Sequence, residues 1–292
     1  MPVYVEQLTK ALTRHDEKTA KIMIKSLANN LRALGRCNEQ HRQFLTQDHI
    51  NALGPLIKQT LDIVTGLKSA HKTFLQQSKA NYDIDEEDVD KIKDEMAQIG
   101  KVASQVMELT GQLVEKFNDA TLPVIESSSK NYWANLLQGH ADLAEDELLD
   151  VLCFWCDFVD NTSFKNDTAA VTQLVEKFLE VISNPKHAES DMVKHTVAYG
   201  LGAFGYVLPR EAFQPFLTRA SGMIKGITMR DAAFSEENME LTENAMGALA
   251  KLAYKHMDGT SVTEADLAGV FSFFPFKQDE CECQTTHRIF LE

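Results

Sequence analysis

Apolar residues recur at helical spacing along this chain. Val5 to Leu34 carries Ile22, Leu27, Leu31 and Leu34 near one face, and Asp48 to Gln77 follows with Leu53, Leu56, Ile57, Leu61, Val64 and Leu67 as its stripe. Pro55 falls early enough in that second segment to be a first-turn proline. The stretch DIDEEDVDKIKDE, Asp83 to Glu95, holds eight acids and two lysines. It starts as an acidic linker and runs into a helix carrying Ile92, Met96, Ile99, Val106, Leu109, Leu113 and Phe117. It lacks the central glycine of a calcium-binding loop.

From about Leu148 the pattern repeats. Leu152, Leu201 and Leu249 form one column at intervals of 49 and 48 residues. Cys153, Gly202 and Ala250 then align, as do Cys156, Gly205 and Ala253. Interior glycine costs a helix about 1 kcal/mol, so two columns of small residues mark where another helix backbone must come close. On that reading Gly202→Leu overpacks the site, whereas Gly202→Ala is mild.

Each such helix is followed by a second: Ala169–Ile182, Arg210–Ile227 and Glu264–Phe274, with Pro185, Pro209 and Pro275 at boundaries. Helical pairs of this length predict an all-α chain, a right-handed α-α superhelix of HEAT or armadillo type. Residues 1–140 read as an N-terminal helical segment with divergent HEAT-like helices and the acidic linker near 83–95. Residues 141–292 read as regular repeats of about 48–49 residues, the last cut short, as in a piece of a longer protein.

Composition sharpens this picture. The chain has 292 residues, 44% hydrophobic, enough to bury a sizeable core. Its formal charge of -14 disfavours nucleic acid and suits a basic partner. No run is long and apolar enough for membrane insertion, and Met1 to Lys10 lacks the apolar core of a secretory leader. Five cysteines, an odd number, fit a reducing compartment.

The candidate chemistry is sparse. Cys153-Phe-Trp-Cys156 has dithiol spacing, but both thiols lie in an apolar stretch beside Asp157, which disfavours the thiolate. Cys281, Cys283 and His287 lack an obvious fourth metal ligand, although Glu280 or Glu282 is near. No serine elbow, phosphate loop or zinc-protease motif occurs, so no enzyme, metal or cofactor is expected. Asn244 stands in a helix-opening stretch, placed to bond across to an adjacent repeat, to cap a local amide or to meet a partner.

VKHTVAYGLGAFGYVLPREAFQPFL (193–217), LTENAMGALAKL (241–252), FSFFPFKQDECECQTTHRIFLE (271–292) and FVDNTSFK (158–165) resemble the C-terminal part of an importin-beta-type karyopherin. The importin-5, or karyopherin beta-3, branch is nearest. The second aspartate of that family's paired-acid helix end stands as Asp157, with Cys156 in place of the first, and Leu208 to Arg210 replaces a glycine-rich turn. The resemblance implies a nuclear transport receptor segment, in cytoplasm, nucleus and nuclear pore, that binds basic cargo. Phenylalanine-glycine (FG) nucleoporins are further implied partners, and Ran GTPase belongs only to the full-length receptor. The alternative is a HEAT scaffold without a transport role.

Solenoid geometry puts second helices on the concave face. Glu176 and Glu180, at i and i+4, then point into the groove, with Glu264 and Asp266 near its next rim, as candidate cargo contacts. The family binds FG repeats in apolar slots between first helices. Phe154, Trp155 and Phe204 are candidate linings there, although aromatic residues at helical spacing usually pack inward.

Overall fold

The structure, a computed structural model, describes Lys10, residues 47–80 and residues 86–291. The helix expected over Val5 to Leu34 therefore lies outside the described residues, Lys10 apart. All regular structure among the described residues is helical, with no strand. The chain divides into two compact units between Asn135 and Leu136.

In the first unit, α1 (Gln47–Asn51) and α2 (Gly54–Ala80) replace the single segment expected from Asp48. The break has a local cause. Pro55 cannot donate an amide and its ring clashes with the carbonyl four residues back, so it starts a new helix in its first turn. α3 (Glu86–Phe117) is already helical through most of the acidic stretch, with Glu87 and Asp88 where the N-terminal dipole favours negative charge. α2 packs on α3, burying Leu56, Ile57, Leu61 and Val64 against Ile99, Val106, Leu109 and Leu113. His71 lies 3.3 Å from Glu95 across this pair. α4 (Leu122–Ser128) closes over α2, and α5 (Lys130–Gln138) spans the division between units.

The second unit is a succession of helical pairs: α6 (Glu145–Asn161) with α7 (Thr168–Ser183), α8 (Asp191–Val207) with α9 (Arg210–Thr228), and α10 (Met239–His256) with α11 (Glu264–Phe273). α12 (Glu280–Leu291) opens the next turn of the pattern. First helices pack in a row, α6 on α8 on α10 on α12, and α7 packs on α9. Side-chain caps fix several starts: Asp167 accepts from the Ala170 amide, Ser190 from Val193, and Thr263 with Asp266 makes a reciprocal capping box.

The leucine column is buried throughout, at Leu152, Leu201 and Leu249, with Ala250 beside it. The small-residue columns mark the helix contacts. A Cβ placed on Gly202 would stand 2.6 Å from the Ala248 Cα, so α8 and α10 meet nearly backbone to backbone. The expectation that Gly202→Ala is mild is therefore wrong: the obstructing atom is main chain, which cannot swing aside. Among the described residues no helix is long and apolar enough to cross a membrane.

Candidate binding surface

The row of first helices carries a polar ladder through an otherwise apolar contact. Tyr199 on α8 donates its hydroxyl to Asp160 on α6. Lys251 on α10 sets its ammonium 4.9 Å from the Tyr199 ring centroid and 2.8 Å from Glu282 on α12. Lys251 is 4% exposed and Glu282 3%. Burial pushes the Glu282 carboxyl up, with Lys251 opposing, and burial pushes the Tyr199 hydroxyl up further, helped by Asp160.

A second network fastens α12. The buried Glu243 carboxylate accepts the backbone amides of Lys277, Gln278 and Asp279 at 2.6, 2.8 and 2.8 Å. Asn244 donates to Asp279 Oδ2 at 2.7 Å, bonding across to the next repeat, and Asp279 Oδ1 accepts the Glu282 amide at 2.8 Å. Sequence reasoning missed Glu243, Lys251, Tyr199 and Asp160, and weighed Glu282 only as a metal ligand. The available signal was a glutamate and a lysine inside the small, apolar run LTENAMGALAKLA, where a solvated charge has no room.

Beside the ladder lies a cleft of about 230 Å³ that contacts α6, α8, α10 and the turn before α12. Cys153, Asp157, His195, Tyr199, Asn244 and Asp279 are among its lining residues. The thiols here are structural in character. Burial, then Asp157 and Asp150, pushes Cys153 up to about 11, and full burial raises Cys156 well above the usual thiol range. Among the described residues, no group of three or more His, Cys, Asp or Glu is placed to hold a metal ion.

The candidate cargo carboxylates do not share one environment. Glu176 on α7 and Glu264 on α11 are exposed. Glu180 sits 2.6 Å from Lys177 on its own helix. Asp266 is occupied by the capping box and by Lys225 at 2.6 Å. Partial burial works to raise the Asp266 carboxyl, but the bonds from Lys225 and Thr263 outweigh it and hold it low.

The three aromatic candidates for an FG slot are core residues: Phe154 and Phe204 are fully enclosed, and Trp155 is 3% exposed. Phe154 stacks on Phe158 at 5.5 Å and Phe204 meets Phe178 edge-on at 4.9 Å. Of the two readings open at these positions, slot lining and inward packing, the burial is that of inward packing, with second-helix and same-helix rings filling the space a ligand would need. Aromatic surface between adjacent first helices is instead supplied by Tyr206 and Tyr254, 6.0 Å apart, with the Lys255 ammonium about 5 Å from each ring at 5.1 and 5.0 Å.

No model of a known protein family matches the chain. Among solved structures, a crystal structure of a Kap121p mutant resembles it over 98% of its length, with a TM-score of 0.65 and 15% identity. The fold is that of a HEAT/armadillo-type α-solenoid. The chain spans about a quarter of Kap121p's length (24%). A crystal structure of an engineered protein from the Northeast Structural Genomics Consortium matches 98% of the chain and 95% of its own, with a TM-score of 0.55 and 13% identity. At such identities the likeness is one of fold.

Proposed function

We propose that this chain is a protein-binding segment of an importin-beta-type nuclear transport receptor. The observation that carries the reading is the likeness to Kap121p over nearly the whole chain. It joins a sequence resemblance to the same kind of receptor that rests on different evidence, the wording of residues 158–165, 193–217, 241–252 and 271–292. The importin-5 branch rests on that wording alone.

The ligands are basic cargo segments and FG nucleoporins, with Ran GTPase engaged only by the whole receptor, moving between cytoplasm and nucleus. The net charge of -14 favours encounter with lysine- and arginine-rich segments. Exposed Glu176 and Glu264 are the cargo contacts of the second-helix side, with Glu180 and Asp266 contributing less because lysines already neutralise them.

The test is a titration of the purified chain with a basic import-signal peptide, its alanine-substituted control and an FG nucleoporin fragment. Basic-peptide binding is expected to weaken as salt rises, and FG binding to change little, because apolar burial drives it. Equal affinity for the peptide and its control ends the cargo reading.

A scaffold without a transport role is the second reading. The engineered protein of nearly the same length favours it, since this architecture forms there at about this size. A chain that ignores both ligands but captures a neutral protein partner supports the scaffold.

A further inference from the structure

We propose that the cleft beside Tyr199 is a docking point for a lysine or arginine side chain of a protein partner. The proposal rests on the basic-partner reading above and moves the decisive contact from second helices to first helices.

Charge defines the ligand. Asp157 and Asp279 line the cleft, and the lining includes no lysine or arginine. Its one weak base, His195, is held toward the neutral form by burial, against the opposing pull of Glu240 and Asp279. The walls are fixed in advance. Asp279 is held by Asn244 and by the Glu282 amide, one bond to each oxygen, and a carboxylate oxygen accepts two. The cost of ordering this acceptor is therefore met by the fold before any partner arrives.

The chain already binds a cation with these materials one step along the row. Lys251 uses the Tyr199 ring at 4.9 Å and a carboxylate, Glu282, at 2.8 Å. The cleft offers the same ring residue together with Asp279. An aromatic face beside a carboxylate suits an ammonium or guanidinium head. The protonated thiols of Cys153 and Cys156 supply a weakly polar lining for the methylene stem. At about 230 Å³ the space is smaller than the roughly 300–1,000 Å³ of small-molecule pockets and suits one extended side chain.

The experiment titrates the full chain with a lysine/arginine-rich peptide and its alanine-substituted control. Three variants accompany it: Asp157→Asn, Thr196→Arg, which brings a competing guanidinium to the cleft, and Glu176→Gln with Glu180→Gln on α7. Each cleft variant is expected to bind about tenfold more weakly, as loss of a charge-assisted contact implies, and the α7 variant, which removes second-helix cargo contacts, to lose less than either cleft variant. In the parent chain, bound peptide should slow alkylation of Cys153 relative to exposed Cys281, read by mass spectrometry. This arm decides the matter if a cleft variant fails to fold. Full-strength binding by both cleft variants, or unprotected Cys153 in the peptide complex, overturns the cleft. Loss of binding in the α7 variant alone does so while leaving the proposed function standing. No preference for the basic peptide over its control in the parent chain overturns both.

Discussion

Gly202 faces the Ala248 main chain so closely that a single added carbon would stand 2.6 Å from its Cα. This contact sets the spacing of α8 and α10, neighbours in the row of first helices. Gly202→Ala is expected to destabilise by about 1–3 kcal/mol, because forcing the two backbones apart outweighs the gain in helix propensity. Gly202→Leu should be worse still. Chemical denaturation of the parent and both variants checks the order, and an alanine variant as stable as the parent contradicts the contact.

The Lys251–Glu282 pair makes a second prediction. Lys251→Met leaves a carboxylate buried without its cation, at an expected cost of about 3–5 kcal/mol. Replacing both partners, with Lys251→Met and Glu282→Leu together, should recover much of that loss, since the desolvation of both charges disappears. A double-mutant cycle in urea measures the coupling, and purely additive losses would deny that the two side chains interact.

Glu243 collects three consecutive amides ahead of α12. Glu243→Gln keeps the shape but loses the charge and places an NH₂ donor where acceptors are needed. A loss of about 1.5–3 kcal/mol is expected. Hydrogen exchange should locate it, with faster exchange at Lys277, Gln278 and Asp279 and little change in α7. Uniform acceleration across the second unit would show that the clamp is not local.

Acidification should weaken the second unit. His140, His195 and His256 are all pushed below the usual histidine value, burial being the first cause in each. His256 is fully buried, donates through Nε2 to the Gly205 carbonyl at 2.6 Å and stacks on Phe213. A lowered folded-state value means that the unfolded chain takes up the proton first. The stability is therefore complete above the ordinary value near 6.5 and falls as pH drops from there toward the folded-state values. Thermal melts between neutral pH and about pH 5 should show this decline, with a shallower slope in His256→Phe. A parallel slope in that variant assigns the effect to other groups.

Much of this architecture was legible in the residues. The repeat of Leu152, Leu201 and Leu249 marked three buried positions, and the spacing of apolar residues marked the second helices α7, α9 and α11 to within a residue of their ends. Helical periodicity is local, and the sequence carries it in full. Pro55 shows the limit of that reading, since the residues announced a first-turn proline but not that the helix before it ends at Asn51.

What lies across the helix row was decided by the tertiary structure. Lys251 meets Glu282 from 31 residues away, Asn244 meets Asp279 from 35, and Tyr199 meets Asp160 from 39. Periodicity gives the face a residue occupies but not the register in which two helices dock, and a shift of one turn changes every partner. The same ambiguity left Phe154, Trp155 and Phe204 open between slot lining and core. The pattern set them on first helices, and only packing against Phe158, Phe164 and Phe178 made them core. The sequence alone determined a row of paired helices with small residues at their contacts. Tertiary packing chose which charges were buried together and which were left exposed, because desolvation depends on neighbours far away in the chain.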